Sequence, residues 1–249
     1  MILSLFDAEH PRWKLTSVSE ATGIPMPTAL RLARTLERAR YLRHDAQTRS
    51  YELGPAVYRA ASVTRSHSEL VRVARPHLRQ LAEQIAETAA LGVWEQVESV
   101  IMDVILTPRP FKPVIPVGTR IPGLVTLHAQ IAVAFAPGGV LEAALALDHP
   151  RLTEHTLTDP VKLREQIELI RREGVAYGIE TIAVGMSSVA APVFEPDGKV
   201  AGSIAVVAPT ERFGPIEMRE YGAAVSRTAA QVSRALGLPE GHEPPSVTT

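Results

Sequence analysis

LTSVSEATGIPMPTALRLARTLERARYL, residues 15–42, decides the fold. Taken as a helix from Thr28 at 100° per residue, its second half gathers Ala29, Leu32, Ala33 and Leu36 into one apolar stripe, with Arg31, Arg34 and Arg38 on the opposite side. The first half predicts a shorter helix, capped by Thr16 or Ser17, with Val18 and Ala21 facing inward and Gly23 free to take the positive φ that ends it. Pro25 and Pro27 suit the opening of the next helix, where a missing N–H costs little. Helix, tight glycine turn, helix is the layout that presents a second helix to the DNA major groove.

An arginine-faced helix alone is most often a solvated surface helix, so its neighbours decide. Residues 41–44 and 50–53 read as short strands around the polar turn 45–49, a basic β-wing directly after the second helix. Charge is placed unevenly: residues 1–75 carry a balance of +5 and the rest a balance of −6, within an overall net charge of −1. A basic third joined to an acidic remainder is the asymmetry expected when one part meets a polyanion.

The stretch quoted above, continued to YELG at 51–54, resembles the DNA-binding domain of the isocitrate-lyase-regulator (IclR) family of bacterial winged helix-turn-helix transcription factors. The resemblance implies that Thr28, Arg31 and Arg34 meet DNA from the recognition helix and Arg43 and Arg49 from the wing. Within that set Arg31 and Arg34 suit bidentate reading of guanine, and Arg38, Arg43 and Arg49 suit phosphate. Thr28 is equally a phosphate contact or a local capping or packing hydroxyl. Met1 falls inside the first expected helix of the family, whose earlier turn is absent.

The 249 residues, 45% of them hydrophobic, with mean hydropathy +0.05, can bury one large domain or two smaller ones. Cysteine is absent, which excludes disulfides and thiolate metal sites and fits a cytoplasmic protein. The apolar stretch Leu127 to Leu147 is interrupted by Pro137-Gly138-Gly139 and carries Gln130 and Glu142, so two buried helices are expected and no membrane span. There is no nucleophile elbow, phosphate loop, dinucleotide fingerprint or metal-ligand spacing. No catalytic residue, cofactor or metal is therefore expected.

Beyond residue 54 a helical pattern runs to about residue 87, with Pro76 marking a break or a new first turn. Strands are expected at 91–97, 99–106, 176–182, 187–195 and 199–208, the last two joined by a Pro196-Asp197-Gly198 turn. Residues 108–122 read as irregular, and helices are expected at 126–136, from Asp159-Pro160 to Arg172 ahead of Gly174, and from Pro215 to Leu236. The organisation is thus α+β, with a winged helix-turn-helix domain over 1–54, a linker helix over 55–70, an effector-binding and oligomerisation domain over 71–238, and a disordered tail over 239–249. Residues 117–137 and 173–209 resemble the family's effector-binding domain, a fold related to the GAF sensors.

That resemblance places Ile121, Leu127, His128, Gly178, Ser188, Ala205 and Val207 around the effector. Where relatives that bind small carboxylates carry an Asp, a Cys and two Ser, this chain carries Gly178, Ser188, Ala205 and Val207, so an apolar or aromatic effector is expected. His128 and Ser188, with Thr126 nearby, are each also readable as locally satisfied core residues. The resulting expectation is a DNA-binding repressor, dimeric or tetrameric, on a palindrome-like operator, modulated by a small molecule. Two alternatives stay open: a regulator whose second domain serves only oligomerisation, and a small-molecule enzyme with an accessory basic domain.

Overall fold

The computed structural model describes residues 1–7, 10–239 and 241, with the side chains of residues 64–67 excepted. The chain divides into two compact units, Met1–Ser68 and Glu69–Thr249. Apart from residues 239 and 241, the expected tail lies outside the described residues.

The first unit begins with a 3-10 turn, Leu3–Leu5, followed by β1 (Arg12–Lys14), α1 (Leu15–Thr22), α2 (Met26–Arg38), β2 (Leu42–Asp45), β3 (Ser50–Leu53) and α3 (Ala56–His67). Gly23 ends α1 at φ 67°, and Pro27 lies in the first turn of α2, as expected. Three local expectations are corrected. Met1 is exposed ahead of the 3-10 turn, while Ile2 enters the core with Val18, Ala33, Leu42 and Tyr51. Helix α1 starts at Leu15 with no side-chain cap, so Thr16 and Ser17 lie inside it; strand β1, paired with β3 as Trp13 opposite Tyr51, delivers the chain in extended conformation at Lys14. Ala21 is exposed because the buried face runs from Leu15 through Val18 to Thr22, a 3–4 spacing that misses it. On α2, Ala29 and Ala33 are fully buried whereas Leu32 is 38% exposed at the rim of the stripe.

The second unit comprises α4 (Glu69–Ile85), β4 (Thr88–Glu95), β5 (Glu98–Ile105), β6 (Arg120–Pro122), a 3-10 turn (Gly123–Val125), α5 (Leu127–Ala134), α6 (Val140–Leu145), α7 (Pro160–Glu173), β7 (Ala176–Ala183), β8 (Met186–Phe194), β9 (Val200–Pro209), a 3-10 turn (Thr210–Arg212) and α8 (Pro215–Ala235). Pro76 breaks nothing: it sits inside α4, while the helical pattern is interrupted at Ser68. The hydrogen bond that proline removes is tolerated because Val71, Ala74, Leu78, Leu81 and Ala82 anchor the same helix in the core.

All strands of the second unit form one antiparallel sheet in the order β6-β5-β4-β9-β8-β7. Its two faces are buried against different helices, which explains why β8 and β9 read as almost unbroken apolar runs. Val189, Ala191, Val193, Ile204, Val206 and Ala208 belong to a core shared with α4 and α8. The intervening Ala190, Ala205 and Val207 belong to a second core with α5, α6 and α7. Small residues line that second face, Ala90 and Gly92 on β4 and Ala190 on β8, and they let α5 lie close to the sheet. Asp159 caps α7 by accepting from the amides of Val161 and Lys162, and Gly174 closes it at φ 69°.

A candidate DNA-reading face and a candidate effector cavity

Helix α2 carries Arg31, Arg34 and Arg38 in an i, i+3, i+7 row, and with Pro27, Leu30 and Thr35 they line an open surface groove of about 280 Å³. All three arginines are exposed, and none forms an ion pair among the described residues. A cation held away from carboxylates on a helix face is available to a phosphate or a base edge. Thr28 is half-buried in the first turn, where its amide donates to Pro25 O at 2.9 Å; α2 has no side-chain cap.

The hairpin of β2 and β3 treats its two arginines differently. Arg43 is already engaged, since Glu52 opposite it on β3 accepts from its guanidinium and pairs at 3.5 Å with Arg12 on β1. This cross-strand row of Arg12, Glu52 and Arg43 makes Arg43 less available to phosphate than sequence reasoning expects. The cause is register, invisible in the local sequence, as was Arg12's place on a third strand. Arg49 sits in the turn at φ 54° and forms no ion pair among the described residues. Asp45 shapes that turn, accepting from Gln47 N at 2.9 Å, and its carboxyl is held below its ordinary range by hydrogen bonds from Thr48 and Gln47.

The seven expected effector residues do not form one cluster. Leu127, Gly178, Ser188, Ala205 and Val207 come together under the start of α5: Gly178 pairs with Ser188, Ser188 with Val207, and a Cβ on Gly178 would stand 3.3 Å from Leu127 and 3.4 Å from the Ser188 hydroxyl. Ile121 does not pair with them: it lies on the other edge strand of the sheet, opposite Ser99 of β5, whose hydroxyl bonds Thr126 at the start of α5. Nor does His128. One step along α5 turns it by 100°, toward β4 and β9, where its Nδ1 shares a 2.6 Å hydrogen bond with Ser203 Oγ. Thr126 is the N-cap of α5, accepting from Ala129 N at 3.1 Å.

His128 occupies space that a missing side chain provides. A Cβ on Gly92 would lie 2.5–2.6 Å from Cγ, Cδ2 and Nδ1 of the ring, so only glycine at that position of β4 admits the imidazole. Around it a groove of about 210 Å³ is lined by Trp94, Ala132, Phe135, Lys199 and Ser203 among others. Sequence reasoning missed Gly92, Trp94, Phe135 and Ser203; a glycine inside the apolar run LGVW was the available signal. Burial holds the His128 imidazole neutral, depressing its pKa from 6.5 to about 4.

A pH dependence follows. Unfolded His128 takes a proton near pH 6.5 and the folded ring does not until about pH 4, so its contribution is complete above 6.5 and is lost as pH falls through that window. Thermal or urea unfolding between pH 7 and 4 should show the parent losing about 3 kcal/mol more than His128→Gln. Parallel pH curves for the two proteins would contradict the buried neutral ring.

No helix among the described residues is long and apolar enough to cross a membrane. Residues 1–46 match a family profile described as the IclR helix-turn-helix domain, and residues 62–234 match one described as bacterial transcriptional regulator IclR, C-terminal. The chain is 31% identical over 232 residues to the HTH-type transcriptional regulator BhcR of Paracoccus denitrificans, covering 88% of this chain and 79% of that protein. It is 26% identical over 230 residues to the transcriptional repressor IclR of Escherichia coli strain K12, covering 90% and 82%. Its fold superposes on the crystal structure of an IclR-type transcriptional regulator from Silicibacter sp. TM1040 with a TM-score of 0.84 at 26% identity, covering 100% of this chain and 97% of that one. These relatives are regulators, which favours the sensor reading of the second unit over the enzyme alternative.

Proposed function

Because the chain belongs to the IclR family of bacterial DNA-binding transcription regulators, with a helix-turn-helix domain and an effector-binding domain, we propose that it is a cytoplasmic repressor. In this reading it binds a palindrome-like operator as a dimer or tetramer and answers to a small apolar or aromatic effector. The observation that carries the DNA half is the row of exposed Arg31, Arg34 and Arg38 along α2, followed at once by a hairpin whose turn holds a further exposed arginine, Arg49, none of them in an ion pair among the described residues. Thr28 adds a phosphate contact at the helix start, and Arg43 a weaker one.

Helix α3 is the linker, and the unit beyond it carries the effector and oligomer contacts. The effector class rests on what surrounds Leu127: Gly178, Ala205 and Val207 bring no polar side chain, leaving two neutral hydroxyls, Ser188 and the Thr181 beside Gly178, as the polar anchors. A small carboxylate would lose its hydration there without sufficient return. Repression is the sense in which the Escherichia coli relative is named. Ligand occupancy would shift the spacing or assembly of the two recognition helices.

A footprint of the full chain on the DNA flanking its own gene tests this. Protection of two half-sites about one helical turn apart, weakening steeply as salt rises, is the expected result. No protection even in dilute buffer would overturn the reading. A thermal-shift screen of aromatic acids and small carboxylates tests the sensor half: a shift without turnover supports it, turnover supports an enzyme, and silence supports a scaffold.

A further inference from the structure

His128 is 8% exposed and lines the groove between the second half of α5 and the ends of β4 and β9. Its Nδ1 is committed to Ser203, whereas its Nε2 has no hydrogen-bond partner among the described residues. That nitrogen is not walled in: among the described residues the sealed, unpaired side-chain atoms are Gln130 Oε1 and His149 Nε2, on two side chains that bond the Leu124 backbone. A buried polar atom left open to a cavity is a ready partner for a ligand group. Trp94 and Phe135 supply aromatic walls, and Ala132, Pro137, Val200 and Ala201 supply apolar ones.

We propose that this groove is a binding site for a small neutral aromatic alcohol, a phenol, whose hydroxyl pairs with His128 Nε2 while its ring lies between Trp94 and Phe135. The site differs from the Gly178–Ser188 cluster, and its regulatory meaning rests on the sensor reading above. Three observations select the class. The volume, about 210 Å³, suits one ring, since a cavity of about 150 Å³ holds benzene. The imidazole can share its Nδ1 bond with Ser203 as donor or as acceptor, so Nε2 is correspondingly acceptor or donor, and a hydroxyl satisfies either tautomer. A carboxylate is disfavoured because the one cation lining the groove, Lys199, is paired with Asp197 at 2.6 Å and is 71% exposed.

The test uses the full chain with Trp13→Phe, which leaves Trp94 as the only indole of the two in the sequence. Phenol should quench or shift Trp94 emission saturably, with toluene and benzoate each binding about tenfold or more weakly. His128→Leu should weaken phenol by about tenfold while leaving toluene unchanged, a selective loss that misfolding cannot produce. Ala132→Phe, which fills the groove, should abolish the response, and Ser188→Leu should leave it intact. Equal binding of phenol and toluene, or unaltered phenol binding by His128→Leu, overturns the site, as does a silent Trp94. If phenol binds at Trp94 without changing operator affinity, the site stands and its regulatory role falls. If another compound releases the operator while phenol leaves Trp94 silent, the sensor reading survives and this site does not.

Discussion

Replacing Arg31 and Arg34 together by alanine is expected to remove about 2–6 kcal/mol of specific operator affinity, a loss of roughly 30-fold at the low end, with the fold intact. Each arginine able to fork onto a guanine is worth about 1–3 kcal/mol, and the two lie one turn apart, so some coupling is expected. Stability should not fall. Both side chains are exposed and form no ion pair among the described residues, and alanine is the better helix former. Fluorescence anisotropy at one fixed salt concentration, against the operator and a scrambled duplex, separates the roles. Loss confined to the operator assigns the pair to base reading; equal loss on both duplexes assigns it to phosphate; no loss on either removes α2 as the reading helix. Arg43→Ala makes a useful contrast, because it breaks the row with Glu52 and should lower stability slightly while changing affinity little.

The difference between those arginines marks what the amino-acid order can and cannot disclose. Helices with local punctuation were legible: Gly23 and Gly174 close α1 and α7, and Asp159-Pro160 opens α7, because capping acts within four residues. The β8–β9 hairpin was equally plain from its Pro196-Asp197-Gly198 turn, closed by Glu195 N on Lys199 O at 2.7 Å. Strand β1 was not, since Arg12-Trp13-Lys14 is too short to alternate and becomes a strand only by pairing with residues 50–52. Among the candidate effector residues, two were displaced in the same way. Resemblance put Ile121, Leu127 and His128 near one ligand, yet which sheet edge Ile121 occupies depends on strand order, and His128 turns toward Ser203, 75 residues away. The gap at Gly92 that admits the ring has meaning only once β4 lies under α5.

Glu87 is the most distant of these long-range dependencies and the one with the largest expected effect on stability. The residue directly precedes β4, is fully buried, and its two carboxylate oxygens are shared by two guanidiniums. Arg109 donates to Oε1 at 2.6 Å from the segment between β5 and β6. Arg212 donates to Oε1 at 2.6 Å and to Oε2 at 2.9 Å from the 3-10 turn ahead of α8, and also holds Phe111 O at 3.0 Å. Three connections of the sheet are thus tied at one anion. Removing either side is not equivalent. Glu87→Ala leaves two cations that already reach water, with side chains 41% and 27% exposed, and these can rehydrate. Arg212→Ala instead takes one of two guanidiniums from a carboxylate that is fully buried in the parent, the costlier case, about 3–5 kcal/mol. Neutralising the anion as well, in the double variant Glu87→Gln with Arg212→Ala, should recover part of that loss, since an amide is cheaper to bury than a charge. Thermal unfolding of the three proteins checks the order, with Arg212→Ala expected to melt on the order of 10 °C below the parent. If Arg212→Ala proves no less stable than Glu87→Ala, burial of the carboxylate does not govern this junction, and the two arginines act merely as packing.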